Sequence, residues 1–134
     1  MKKKTFEEIV RKVKAIKIVG RVDMVIGVAE GGIIPACLIA KKLKKPVDFI
    51  WINFRDADNH PRWPSPKLTK SYLPNIKNKR ILLVDDVTRT LSTFRKAKQY
   101  LKDAKSIKTL SFNGRGSYNL YNEDCFFFPW EINT

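Results

Sequence analysis

Histidine is almost missing from this chain: His60 is the single one in 134 residues, and the two cysteines, Cys37 and Cys125, stand far apart with no second cysteine or histidine near either. Zinc-binding spacings and a disulfide framework are thereby excluded, and both thiols are expected to be buried. No apolar run reaches the roughly 18 residues that a membrane span requires. The lysine-rich start, Met1-Lys2-Lys3-Lys4, leads into an amphipathic stretch rather than the apolar core of a secretion signal. A soluble, cytoplasmic protein with no membrane partner is expected. Neither G-x-x-x-x-G-K-[ST] nor G-x-G-x-x-G occurs, which removes the support for P-loop and ordinary dinucleotide-binding readings. Acids are also scarce, 13 against 27 basic residues, for a net charge of +14. Such a field favours polyanions, whether nucleic acid, phosphorylated small molecules or an acidic surface. Yet 19 of the basic residues are lysines scattered along the chain, which a biased composition produces without any specific partner.

What the chain does have is core material. Hydrophobic residues make up 43%, with 8 Phe, 4 Tyr and 3 Trp, and the length suits one domain spanning 1–134. No repeat or low-complexity tract interrupts a recurring order of apolar strand, turn and helix. Thr5-Phe6-Glu7-Glu8 reads as a capping box, and Phe6, Ile9, Val10, Val13 and Ile16 follow at helical spacing, predicting a helix to about Ile18. Met24 to Val28 reads as a buried strand, Ile33 to Leu43 as a helix with Pro35 in its first turn, and Val47 to Ile52 as the next strand. From Asn53 to Asn75 regularity is lost, as expected of a functional lid or a disordered loop. Arg80 to Val84 is a central strand, followed by a helix to about Lys102 and a strand over Ile107 to Phe112. Asn113 to Asp124 reads as loop, and Phe126 to Phe128 as an edge strand. The sum is an α/β fold: a doubly wound, mainly parallel five-stranded sheet flanked by helices.

In such sheets ligands bind beyond the carboxyl ends of the strands, so three turns matter. Ala29-Glu30-Gly31-Gly32 precedes a helix; paired glycines let backbone amides approach an anion, or serve only a tight turn. Asp85-Asp86 closes the central strand, and two adjacent carboxylates are costly unless a cation or hydroxyl donors share them, which suggests Mg²⁺ or sugar hydroxyls. Thr88, Thr90, Ser92 and Thr93 bring four hydroxyls to a helix start, with Arg89 among them, a cradle suited to phosphate. His60 reads as a solvated loop residue, with Asp56 and Asp58 nearby as weak metal candidates.

At these residues the chain resembles the type I phosphoribosyltransferases, and among them the small purine enzymes acting on guanine, xanthine or hypoxanthine. Ile81 to Thr93 is similar to the family's phosphoribosyl-pyrophosphate (PRPP) motif, Val25 to Gly32 to its pyrophosphate loop, and Phe128-Pro129-Trp130-Glu131 to a C-terminal signature of the small purine enzymes. The resemblance implies transfer of a phosphoribosyl group from PRPP to a purine-type base with release of pyrophosphate, assisted by Mg²⁺, in a homodimer with a small C-terminal hood. It implies that Asp85 and Asp86 hold the ribose hydroxyls and the metal. PRPP would also meet Glu30, Gly31 and Gly32 at its pyrophosphate, and Val87, Thr88, Arg89, Thr90, Leu91, Ser92 and Thr93 at its 5'-phosphate. The base would lie near Asn113, Cys125, Phe126 and Phe127, under a hood formed by the segment Asn53 to Asn75.

The same resemblance exposes departures. Arg89 takes the catalytic position where the family usually carries Asp, and a guanidinium is no general base. Leu91 replaces a glycine of the phosphate loop, Glu30 a basic residue, Asn113 a lysine that reads the purine, and Cys125 a stacking aromatic. These changes fit an altered substrate or weak activity. They equally fit a catalytically degenerate relative that binds nucleic acid through its basic surface or senses nucleotides.

Overall fold

The computed structural model describes residues 1–53 and 67–132. Helix α1 spans Phe6–Ala15 and opens on the expected capping box: the Glu8 amide donates to Thr5 Oγ1 at 3.1 Å and the Thr5 amide to Glu8 Oε1 at 3.4 Å. It stops three residues earlier than the periodicity predicts. Ile16 turns extended (φ −67°, ψ 137°), and the ammonium of Lys42 collects the carbonyls of Val13 at 2.8 Å, Lys14 at 2.9 Å and Ile16. Strand β1 (Met24–Ala29), helix α2 (Ile33–Leu43) and strand β2 (Val47–Asn53) form the first β-α-β unit. A short strand β3 (Lys67–Leu68) pairs antiparallel with β2 at the edge of the sheet. Then come β4 (Arg80–Thr88), α3 (Ser92–Tyr100), β5 (Ser106–Gly114) and β6 (Tyr118–Tyr121).

The sheet runs β3-β2-β1-β4-β5-β6, parallel except at β3. It is doubly wound, with six strands rather than five. Alternation along β4 feeds two cores. Leu82 and Val84 join Ile9 and Val13 of α1 and Ala36 and Ile39 of α2, whereas Ile81 and Leu83 join Phe94 and Ala97 of α3.

Two expectations near the C-terminus are corrected. Tyr118 to Tyr121, expected as loop, is the parallel partner of β5, in register Leu110 to Tyr118 and Asn113 to Tyr121. Parallel neighbours usually need a crossover of a dozen residues, and here only residues 115–117 intervene, so the sequence carries no crossover signal. Phe126 to Phe128, expected as an edge strand, forms only an isolated bridge to Lys3, with the Lys4 amide donating to the Phe127 carbonyl at 2.9 Å. Aromatic packing holds this segment instead. Phe126 meets Phe128 edge-on at 4.9 Å, and Phe128 stacks on Trp130 at 4.8 Å. Residues Asp56, Asp58 and His60, and most of the expected lid, lie outside the described residues. Among the described residues no helix is long and apolar enough to cross a membrane.

Candidate functional site

The chain leaves β1 toward β2 on one side and, after β4, turns to β5 on the other, so the winding reverses between β1 and β4. A crevice at the strands' carboxyl ends is the usual consequence. Two loops meet at that point. A methyl group placed on Gly31 would lie 2.6 Å from Asp86 Oδ2 and 2.7 Å from Asp86 Oδ1. The turn after β1 therefore rests directly on the second acid of β4, and any larger residue would have to displace that carboxylate. Gly32 begins α2 as its N-cap, without a side-chain cap, and its own Cβ would strike the Val28 carbonyl at 2.5 Å. Glu30 is exposed, and the Ala29–Glu30 peptide is cis.

The acids do not lie in a turn beyond the strand. β4 stays paired with β5 through Asp85–Ser111 and Val87–Asn113 to Thr88–Gly114, so both carboxylates belong to the strand's last turn of pleat. Asp85 is buried and Asp86 half-buried. Each carboxylate accepts from the next amide: Asp86 N donates to Asp85 Oδ1 at 2.8 Å, and Val87 N to Asp86 Oδ1 at 2.7 Å. Burial pushes the Asp85 carboxyl well above the ordinary range, the neighbouring Asp86 charge adds to the rise, and the Asp86 amide offsets only part of it. A buried acid held beside a second acid is unfavourable as it stands, and a cation or hydroxyl donor would relieve it.

The hydroxyl-rich segment divides in the structure. Thr88 ends β4, buried, with an Oγ1 that has no partner among the described residues. Thr90 Oγ1 and Ser92 Oγ lie 2.8 Å apart, and Thr90 Oγ1 also accepts from the Ser92 amide at 3.4 Å. Leu91 is the N-cap of α3 and, lacking a polar side chain, makes no cap hydrogen bond itself, so the Ser92 amide turns to Thr90 Oγ1 instead. Val87 and Thr93 are half-buried.

Arg89, exposed, reaches from this loop to Cys125, its Nη2 donating to Sγ at 3.4 Å. Cys125 and Cys37 are both exposed, not buried as expected. Their stretches escape the core because the apolar faces are already filled by Ala36, Ile39 and Phe126. Asn113 is buried, and its amide is engaged: Oδ1 accepts from Glu123 N at 3.0 Å and Nδ2 donates to the Asp124 carbonyl at 3.4 Å. Phe126 is buried edge-on against Tyr121 at 5.2 Å, while Phe127 is half-buried. One residue within the stretch expected as loop also shapes the site. Gly114, at φ 127°, lies so close to β4 that a Cβ would come within 2.0 Å of the Thr88 carbonyl, which the Arg115 amide binds at 2.9 Å. The signal was the glycine itself, read only as a loop former. Among the described residues no cluster of three or more His, Cys, Asp or Glu exists to hold a metal.

Residues 3–128 match a protein family described as the phosphoribosyl transferase domain. No curated protein sequence matches the chain. Among solved structures, a purine phosphoribosyltransferase from Pyrococcus horikoshii is 25% identical with a TM-score of 0.75, covering 98% of this chain and 95% of that one. A protein from Neisseria gonorrhoeae solved with bound ppGpp is 22% identical with a TM-score of 0.73, covering 98% and 90%. The xanthine-guanine-hypoxanthine phosphoribosyltransferase of Helicobacter pylori is 15% identical with a TM-score of 0.69, covering 98% and 93%.

Proposed function

The chain belongs to the phosphoribosyl transferase domain family, and from that premise we propose that it transfers a phosphoribosyl group from PRPP to a purine-type base with release of pyrophosphate. One observation carries the reading: the Asp85-Asp86 pair meets the Gly31-Gly32 turn where the sheet's winding reverses. In the reaction a base nitrogen forms a bond to the anomeric carbon as the carbon–oxygen bond to pyrophosphate breaks. The proton on that nitrogen must leave as well. Asp85 and Asp86 accept hydrogen bonds from the ribose hydroxyls and place negative charge near a ring that turns cationic at the transition state. Gly31 brings its backbone amide to the departing pyrophosphate, while the Gly32 amide is held by the Val28 carbonyl at 2.7 Å, and the hydroxyls of Thr90 and Ser92 face the 5'-phosphate.

The donor set fits Mg²⁺, which commonly takes one or two carboxylates and completes its shell with water and substrate oxygens. Asp85 and Asp86 would hold it, and the upward displacement of the Asp85 carboxyl is the feature a divalent charge offsets. Bound there, Mg²⁺ would supply neutralisation of the leaving pyrophosphate. Arg89 has no lone pair with which to abstract the base proton. Its part is electrostatic, favouring an acceptor that carries negative charge.

Isothermal titration of PRPP with Mg²⁺ tests the proposal. Wild type is expected to bind, and Asp86→Asn to lose at least about tenfold in affinity, as expected on removing a charged hydrogen-bond partner. A wild type that binds no PRPP overturns the reading. The net charge of +14 favours a second one, a nucleic-acid-binding relative without turnover. Its mark is gel-shift affinity that falls steeply as salt rises.

A further inference from the structure

The three-residue link between β5 and β6 leaves part of the sheet uncovered. An ordinary parallel crossover would lay a helix over these strands on the α3 side. Here the chain doubles straight back along β5. Ser117 N donates to Thr109 Oγ1 at 2.9 Å, and a Cβ on Gly116 would lie 3.3 Å from the Ser111 amide. What remains beside α3 is a groove of about 570 Å³, within the range of small-ligand sites.

Its walls have one sign. Arg95 and Lys98, three apart on α3 and so on one face of it, stand on one side, and Arg115 of the β5–β6 link joins them; no Asp or Glu lines the groove. Many other cations of this basic chain are engaged. Lys4 pairs with Glu123, Arg21 and Arg80 with Asp23, and Lys42 with the end of α1. The side chains of Arg95, Lys98 and Arg115 have no hydrogen-bond or ion-pair partner among the described residues. Ser117, Asn119 and Asn122 add donors and acceptors, while the half-buried Leu91 offers an apolar contact.

We infer that this groove binds a small polyphosphorylated anion of nucleotide size, at a site separate from the Asp85-Asp86 crevice. The three cations complement an oligophosphate, the amides and hydroxyl complement a sugar or base edge, and Leu91 gives a base an apolar contact. The groove shares Leu91 with the proposed phosphate loop, and its Gly114 lies against Thr88 at the end of β4, but its three cations lie outside the residues assigned to PRPP. The inference does not depend on the transferase reading.

Equilibrium dialysis at physiological salt with guanosine triphosphate, adenosine triphosphate and inorganic tripolyphosphate tests it, on wild type, the triple variant Arg95→Ala/Lys98→Ala/Arg115→Ala, and Asp86→Asn. The three basic residues are exposed, so the triple variant should melt like wild type. It is expected to lose about tenfold or more in nucleoside triphosphate affinity with PRPP binding unchanged, while Asp86→Asn keeps the triphosphate. Tripolyphosphate should bind more weakly than either nucleotide, because it leaves Leu91, Asn119 and Asn122 unused. Wild type that binds no triphosphate, or binding that PRPP displaces one for one, would overturn the inference. A twelve-nucleotide single strand that needs the same three cations and binds far more tightly than the triphosphates would overturn it too, by giving the groove to nucleic acid.

Discussion

Replacing Asp85 by Asn should stabilise the fold while harming its chemistry. The amide keeps the oxygen that accepts from Asp86 N at 2.8 Å and nearly keeps the volume, but removes a charge that is buried beside a second carboxylate. The native Asp85 carboxyl is displaced upward, by burial first and by Asp86 second. An unfolded Asp ionises near pH 4. Between that value and the raised native one, the unfolded chain releases a proton that the folded chain retains, so stability falls as pH climbs through the window and then levels off. Asp85→Asn should therefore melt with wild type near pH 3, pull ahead from about pH 4 upward, and hold a constant lead once the native carboxyl has ionised. A lead on the order of 1–2 kcal/mol, the usual gain on relieving a strained functional group, is roughly 4–8 °C in Tm at this chain length. Calorimetric melts across pH measure it. Mg²⁺ adds a second axis, raising the Tm of wild type and narrowing the gap, with little effect on the variant. Equal melting at pH 8, or a variant that melts lower, would refute the account of a buried, repelled carboxylate.

Two further substitutions probe the supports of the site. Gly31→Ala places a methyl against the Asp86 carboxylate, 2.6 Å from Oδ2, and the acid must swing away. We expect a modest stability loss of about 1 kcal/mol but a PRPP affinity reduced about tenfold or more by the misplaced carboxylate, measured by titration and melting on the same samples. Lys42→Met keeps the apolar stem and deletes the ammonium that gathers the carbonyls of Val13, Lys14 and Ile16. A loss of about 1–2 kcal/mol in denaturant unfolding is expected, with amide exchange accelerating in the last turn of α1 and PRPP binding untouched.

The parts of the fold legible in the sequence are those where one local rule decides. The capping box at Thr5 and the periodicity after it locate the start of α1, and the apolar runs at Met24 and Ile81 locate β1 and the heart of β4. The acids and glycines that meet at Asp86 and Gly31 stand out equally, because adjacent carboxylates closing an apolar run and paired glycines before a helix are unusual there. What escaped was decided by distant partners. The end of α1 depends on a lysine 26 residues away from Ile16, and the length of β4 beyond Val84 depends on β5 continuing to Gly114 beside it. β6 was hidden because a three-residue return breaks the crossover rule that sequence reading relies on. The uncovered face beside α3 follows from the same exception. The exposed Asn119 of β6 in its lining then has a physical reason, since a strand position without a covering helix faces water and cannot be apolar without exposing a patch. That short return thus both disguises a strand and creates the groove, and the basic residues around it are where part of the chain's excess charge acquires a definite place.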